Sequence, residues 1–178
     1  MILLVRHAQS SGQAPGAPLT LVGDRQAEQL ATDLAVYAGW PIFCSPYLRA
    51  RQTSAPFARL TEVPVTELED LEERVLSPEP RDDWLEHVNR SFRDPDHALP
   101  GGESLRQTAD RGLAAIAKAG SQSIVVSHGN LIAAVLNRID PQFGFDQWKA
   151  LRNPHVILLH VLNGVPSSFE SNGIATAR

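Results

Sequence analysis

Met1-Ile-Leu-Leu-Val5, followed at once by Arg6-His7, is the stretch that decides the fold. Five apolar residues, branched for the most part, have the length and composition of a strand buried on both faces, as in parallel sheets. Arg6 and His7 fall where such a strand leaves the core at its carboxyl end, which is where open α/β sheets place ligands. Two adjacent side chains of cationic character at the rim of a core are costly unless an anion meets them.

Further apolar runs predict strands at Pro41–Cys44, Val63–Thr66, Ser123–Val126 and Val156–Val161. Helical patterns lie between them. Thr20 reads as an N-cap, with Ala27, Leu30, Ala31, Leu34 and Ala38 on one face up to Gly39. Ser45-Pro46 reads as an N-cap followed by proline at the first helical position, and Pro56 as the point where that helix ends or kinks. Ser104-Leu-Arg-Gln107 matches a capping box, continued by Leu105, Ala109, Leu113 and Ile116 until Gly120. Another helix is predicted from Asn130 to about Arg138, and a short one over Phe145–Leu151. Strands alternating with helices predict an α/β three-layer sandwich, a mostly parallel central sheet flanked by helices. The segment from about Leu68 to Gly102 breaks this rhythm with prolines and charges. Only Trp84, Leu85, Val88 and Phe92 suggest a helix there, and the segment reads as a small lid insertion over the sheet's edge. The tail after Asn163 is polar and is expected to be loosely held.

A chain of 178 residues suits a single domain spanning 1–178. Its net charge of −4 argues against nucleic acid or an acidic membrane as a general partner, so any positive site must be local. No apolar run approaches the roughly 20 residues of a membrane span, and the first is too short for a signal peptide. A cytoplasmic location is the expectation. One cysteine excludes an internal disulfide and a cysteine-rich metal site.

The chemistry lies at three strand ends. The first delivers Arg6-His7 and the small polar run Ala8–Gly12. The second delivers Ser45 and then Arg49 in the first turn of a helix, and the fourth delivers Ser127-His128-Gly129-Asn130 at another helix start. In a parallel sheet these ends share one edge. Two arginines, two histidines and helix N-termini converging there suit a phosphoryl group, because a guanidinium fork pairs two phosphate oxygens at once. A neutral histidine can itself attack phosphorus. No Walker loop, no GxGxxG and no GxSxG occurs, which disfavours a nucleotide cradle and a serine hydrolase.

Leu4-Val-Arg-His-Ala-Gln-Ser10 resembles the signature of the histidine phosphatase (phosphoglycerate mutase-like) superfamily, whose usual form is Arg-His-Gly. Cys44-Ser-Pro-Tyr-Leu-Arg-Ala-Arg-Gln-Thr53 is similar to its second motif and Val126-Ser-His-Gly-Asn130 to its third. Leu19-Thr-Leu-Val-Gly23 and Pro100-Gly-Gly-Glu-Ser104 are supporting matches. The resemblance covers nearly the whole chain, and it implies the phosphatase branch and a phosphoglycerate mutase-like fold. It implies that His7 attacks the phosphoryl group and carries it as phosphohistidine while Arg6, Arg49 and His128 hold its oxygens. It also implies a carboxylic acid from a Leu-x-Glu stretch after the third strand. Leu71-Glu72-Glu73-Arg74 matches, which makes Glu73 the general acid, with Glu72 its nearest rival and Glu69 and Asp70 behind. Gln13 stands where mutases carry an asparagine near the phosphate and is a further phosphate-binding candidate. The family implies no cofactor, and no spacing joins the six histidines into a metal site. The implied partner is a small phosphorylated substrate, and the sequence leaves the oligomeric state open.

Departures from the family pattern shape the alternatives. Ala8 replaces the usual glycine, and the Gly-x-x-x-Gly spacing normally found after the acid is missing from Val75–Arg81. A phosphoglycerate mutase is disfavoured by chain length and by the absence of the asparagine and of a Glu-Arg-His-Tyr-Gly run. Without Glu73 as donor the chain would resemble the branch that acts on protein phosphohistidine. A weakly catalytic phosphate-binding regulatory module is the alternative outside enzymes. His87 and His97, in the lid, are expected to be solvated, and His155 and His160 to pack in or beside the last strand.

Overall fold

The computed structural model describes residues 1–171. The chain runs β1 (Ile2–Arg6), α1 (Leu21–Asp33), β2 (Ile42–Cys44), α2 (Leu48–Thr61), β3 (Val65–Glu67), α3 (Trp84–Arg93), α4 (Leu105–Ala119), β4 (Ser123–Ser127), α5 (Gly129–Ile139), α6 (Phe145–Ala150), β5 (His155–Leu162) and β6 (Val165–Glu170). Single 3₁₀ turns lie at Ala35–Tyr37 and Glu69–Leu71.

Strand β1 sits inside a six-stranded sheet ordered β3-β2-β4-β1-β5-β6. It pairs parallel with β4 and antiparallel with β5, while β2 lies parallel to both β4 and β3. The sheet is therefore mixed: a parallel block carries an antiparallel edge formed by β5 and β6. Side chains alternate across a strand, and β1 uses both faces. Ile2 and Leu4 join Val125, Ile157 and Leu159 against Ile116 of α4 and Leu131, Ile132 and Leu136 of α5. Leu3 and Val5 join Ile42, Ile124 and Val126 against Leu30 and Ala31 of α1 and Ala50 and Phe57 of α2. Helices thus cover the sheet on both sides, the three-layer α/β sandwich that the pattern predicts. Among the described residues, no helix is long and apolar enough to cross a membrane.

Several local expectations change. Helix α1 stops at Asp33, and its apolar face finishes in the 3₁₀ turn before Gly39, whose φ of +90° glycine adopts without strain. Ser45-Pro46 is not a helix start. The Ser45 N–H still pairs with the Val126 carbonyl, so the chain stays extended and α2 opens only after Tyr47. Pro56 lies inside α2 without ending it. The lost backbone bond is offset by burial of Phe57 and Ala50, and the hydroxyls of Thr53 and Ser54 donate to the carbonyls of Arg49 and Ala50. The tail after Asn163 is not loose at its start: Val165–Glu170 pairs with β5 as β6, a strand missed because Pro166 and two serines break any apolar run. Residues 172–178 lie outside the described residues.

The segment 68–102 is tied into the body. Leu71 is fully buried in the core, and Val88 is buried on α3. Phe92 packs against Leu105, Ala109 and Ala134. Trp84 and Leu85, by contrast, stay exposed. His87 and His97, both partly exposed, also engage each other. Their rings stack with centroids 5.3 Å apart, Nδ1 of His87 lies 3.0 Å from Nε2 of His97, and Nε2 of His87 lies 3.2 Å from Asp83 Oδ2.

Leu4 is fully buried between the layers whereas Leu162 is mostly exposed. Leu4→Ala is expected to lower unfolding free energy in urea by about 2–5 kcal/mol, and Leu162→Ala by less than about 0.5 kcal/mol. Equal losses would contradict the layer assignment.

Candidate active site

Strand register brings the motifs together. Arg6 is paired with Ser127 and Cys44 with Val126, so β1, β4 and β2 end nearly level. The ladder then continues one residue further, with the His7 N–H donating to the Ser127 carbonyl and the Ser45 N–H to that of Val126, each at 3.0 Å. Arg6, His7, Ser45 and His128 consequently emerge side by side at the carboxyl edge.

His7 is buried, and its Nδ1 lies 2.7 Å from the Ala8 carbonyl oxygen. A carbonyl only accepts, so Nδ1 carries the ring proton and Nε2 carries the lone pair. The Arg49 Nε–H donates to that Nε2 at 3.1 Å, consistent with this tautomer. Desolvation lowers the His7 pKa to about 4. The Ala8 contact opposes the shift, and the charges of Arg49 and Arg6 add to it. The ring is thus neutral at pH 7. Its backbone is held from two sides: the Ala8 N–H donates to Thr53 Oγ1, and Asn153 Nδ2 donates to the His7 carbonyl at 2.7 Å.

Arg49 is fully buried at the start of α2. Its Nη1 donates to the carbonyls of Gln13 and Ala14, and its guanidinium lies 4.9 Å from the centroid of the Tyr47 ring. Gln13 itself is exposed, and its contact with Arg49 is made by its backbone oxygen. Arg6 Nη1 donates to the Leu151 carbonyl at 2.6 Å. A Cβ on Gly129 would come within 3.2 Å of the Arg6 guanidinium carbon, so glycine there clears its path. Burial lowers the pKa of both arginines, with the charge of Glu73 opposing.

His128 occupies the N-cap position of α5, one residue earlier than the predicted helix start, and is fully buried. Its Nε2 lies 2.8 Å from Ser45 Oγ, and its ring centroid lies 5.2 Å from that of His7 and 5.0 Å from that of Tyr47. Desolvation, then the nearby Arg49, push its pKa well below the usual histidine value. Three buried nitrogens of this cluster, Arg6 Nε, Arg49 Nη2 and His128 Nδ1, have no hydrogen-bond partner among the described residues. Buried polar atoms are rarely left so. Three in one cluster, two of them on guanidinium groups, suit an anion.

Glu73 reaches the same place. Its Oε1 accepts from the N–H groups of Arg74, Asn130 and Leu131 at 2.9–3.1 Å, and its Oε2 lies 3.2 Å from the Asn130 N–H. It therefore sits on the first turn of α5, immediately beyond His128. Asp70 points away and pairs with Lys118 Nζ at 2.6 Å, and Glu69 is exposed. Glu72 is half-buried beside Tyr47, whose phenol its charge pushes up after burial itself.

A clamp holds this acidic loop. Arg111 of α4 donates through Nη1 to the carbonyls of Asp70 and Glu72 and makes a two-point pair with Glu103 at 2.8 Å in each bond. Glu103 in turn accepts from the Val75 N–H and, through its carbonyl, from Arg74 Nε. Sequence reading missed this clamp and the roles of Thr53, Asn153 and Tyr47. Its one visible sign was the run Gly101-Gly-Glu-Ser104. Gly102 is demanded there, because a Cβ would fall 2.2 Å from the Leu76 carbonyl oxygen.

The sequence profile of the histidine phosphatase superfamily (branch 1) matches residues 2–168. An uncharacterised phosphatase, PhoE, of Bacillus subtilis (strain 168) is 26% identical over 156 residues, covering 79% of each chain. The probable phosphoglycerate mutase GpmB of Salmonella paratyphi C is 27% identical over 171 residues, covering 85% of this chain and 78% of the relative. Among solved structures, a mycobacterial glucosyl-3-phosphoglycerate phosphatase in complex with inorganic phosphate shares the fold at TM-score 0.72 and 22% identity, covering 99% of both chains.

Arg111→Ala should remove the clamp and lower unfolding free energy by about 1–3 kcal/mol, the scale for hydrogen bonds to a charged group. Limited proteolysis should then cut within residues 72–82 faster than in the parent. Unchanged cleavage would mean that the loop is held by other contacts.

Proposed function

Because the chain belongs to the histidine phosphatase superfamily, we propose that it hydrolyses a small phosphomonoester through a phosphohistidine on His7. One observation carries this reading: His7 is buried and neutral, and its Nε2 lone pair is directed at Arg49 among buried nitrogens that lack partners. A phosphoryl group that enters takes over the Arg49 Nε–H and frees the lone pair. Nε2 then attacks phosphorus in line, the N–P bond forming as the ester P–O bond breaks. Arg6, Arg49 and His128 hold the equatorial oxygens, where charge is spread in a loose transition state. The carbonyls of Gln13 and Ala14 fix Arg49 for this task.

Glu73 is the proposed general acid. It gives its proton to the leaving oxygen and recovers one from the water that attacks the phosphohistidine, so each turnover returns both side chains to their starting states. Its place on α5 beside His128 favours it over Glu72, and the outward pairing of Asp70 removes that rival. An acid in this position supports an ester with a poor leaving group over protein phosphohistidine, whose leaving group departs with less help. It also argues against a merely phosphate-binding module. Two fold neighbours are named for phosphatases of glucosyl-3-phosphoglycerate and phosphoserine, which supports a small phosphorylated hydroxy compound as substrate. A second reading, phosphoryl transfer within a phosphoglycerate, rests on the mutase relative. The segment 68–102, which supplies Glu73, is the proposed lid. No metal or other cofactor has a part in these steps.

The pH profile follows from the His7 pKa. Protonation removes the nucleophile, so activity is present above about pH 4 and lost as pH falls through it. Corrected for substrate ionisation, kcat/KM should show its acid limb near 4; a limb at the ordinary histidine value of about 6.5 would contradict the buried neutral ring. Quenched turnover should yield an acid-labile phosphoenzyme that His7→Ala abolishes together with activity. Normal turnover by that variant would remove His7 from the nucleophile's role. Glu73→Gln should slow alkyl phosphates by about 10²–10⁴-fold and p-nitrophenyl phosphate much less. Equal losses on both would move the acid elsewhere.

A further inference from the structure

The two pocket histidines differ in what holds their second nitrogen. His7 has its proton settled by a backbone carbonyl. For the His128 ring the only hydrogen-bond partner among the described residues is Ser45 Oγ, 2.8 Å from Nε2. A serine can donate to a ring nitrogen or accept from it, so the contact by itself leaves the tautomer open.

The surroundings of Ser45 decide it. Ser45 is fully buried, and its Oγ accepts from the Tyr47 N–H at 3.2 Å. Among the described residues its hydroxyl proton has one acceptor within reach, the Nε2 lone pair of His128. If Nε2 carried the ring proton, two groups would be stranded: the serine hydroxyl proton, and an Nδ1 lone pair buried in a pocket suited to anions. If Ser45 donates, the serine is satisfied on both counts, and the only group left over is an Nδ1–H. Buried polar groups are paired wherever possible, so the second arrangement is favoured.

We propose that Ser45 is a positioning residue that locks neutral His128 in its Nδ1–H tautomer and so turns it into a hydrogen-bond donor for the phosphoryl oxygens. The role assigned to that donor rests on the phosphatase reading above; the tautomer itself does not. His128 then contributes no positive charge and no base. It gives one aimed N–H in a site where a cationic imidazole would face Arg6, Arg49 and Arg111. Ser45 contacts neither substrate nor leaving group and acts only through the ring.

The test is ¹⁵N-histidine NMR of the full chain at pH 7, with two-bond ¹⁵N–¹H correlations reading each ring and His128 assigned by its loss in His128→Asn. The expected pattern is a protonated Nδ1 and a lone-pair Nε2. A protonated Nε2 in the wild-type protein overturns the inference, whether or not the enzyme is active. Ser45→Ala should shift His128 toward the Nε2–H tautomer, weaken inhibition by inorganic phosphate and lower kcat/KM on p-nitrophenyl phosphate by about 10–100-fold, as when the outer partner of a functional histidine is removed. Ser45→Thr, which keeps the hydroxyl, should restore the wild-type ring pattern. A Ser45→Ala protein that keeps the Nδ1–H pattern overturns the role of the serine. If instead the wild-type tautomer is as stated and the protein hydrolyses no phosphomonoester, the phosphatase reading fails and the tautomer assignment stands.

Discussion

Burial of two imidazoles beside fixed guanidinium charges at one sheet edge governs this molecule. His7, His128 and Arg49 are buried and Arg6 is half-buried beside them, and the imidazole rings are 5.2 Å apart. Two unit charges at that distance repel by about 3 kcal/mol even at an effective dielectric near 20. The arginines cannot give up their protons, so the histidines must. Desolvation is the larger cause of the depression in both imidazoles, and the fixed charges of the arginines add to it. Neutral histidine is a consequence of the packing. The His7 Nε2 lone pair is therefore already unprotonated at pH 7, and the Arg49 Nε–H is what holds it.

Backbone geometry creates the crowding. Three parallel strands of matched register end level, and the ladders of β1 and β2 each run on by one bond to β4, made by the His7 and Ser45 N–H groups. Those bonds are made by main chain, so the backbone positions of His7 and Ser45 are fixed by the same ladder that orders the strands. Helix α5 begins where β4 ends, so its first N–H groups face the same spot, and Glu73 accepts from two of them. The acidic loop has no ladder of its own. It depends on Arg111 and Glu103, which gather its carbonyls and N–H groups from α4.

The fold was legible because its signals are local and periodic. The apolar run Ile2–Val5 forces a two-faced burial, and the capping box at Ser104 is present as spacing predicts. The gathering of Arg6, His7, Arg49 and His128 was legible too, since strand ends on one edge must be neighbours. What sequence obscured is set by tertiary partners. Ser45-Pro46 has the local grammar of a helix start, yet the strand ladder claims the Ser45 N–H first. Pro56 has the grammar of a helix end, yet burial of Phe57 outweighs it. Strand β6 has no apolar alternation to announce it and exists because β5 offers an open edge. The Arg111 clamp spans α4 and the acidic loop, a pairing that no spacing rule encodes.

The same limit applies within the site. His7 and His128 are one residue type at equivalent strand ends, and residue type alone does not separate the two duties that the resemblance implies for them. Their duties diverge through the atom that meets the second nitrogen. On the reading proposed above, a carbonyl at His7 Nδ1 leaves a lone pair facing the phosphoryl group, whereas a hydroxyl at His128 Nε2 leaves an N–H facing it. Attack on phosphorus and stabilisation of its oxygens need opposite faces of the same ring chemistry. The proposed mechanism obtains both at one pH, without charging either ring, from an acceptor placed at one ring and a donor at the other. Serine at position 45 is therefore constrained by its hydroxyl, and the helix cap it resembles in sequence has no part in that constraint.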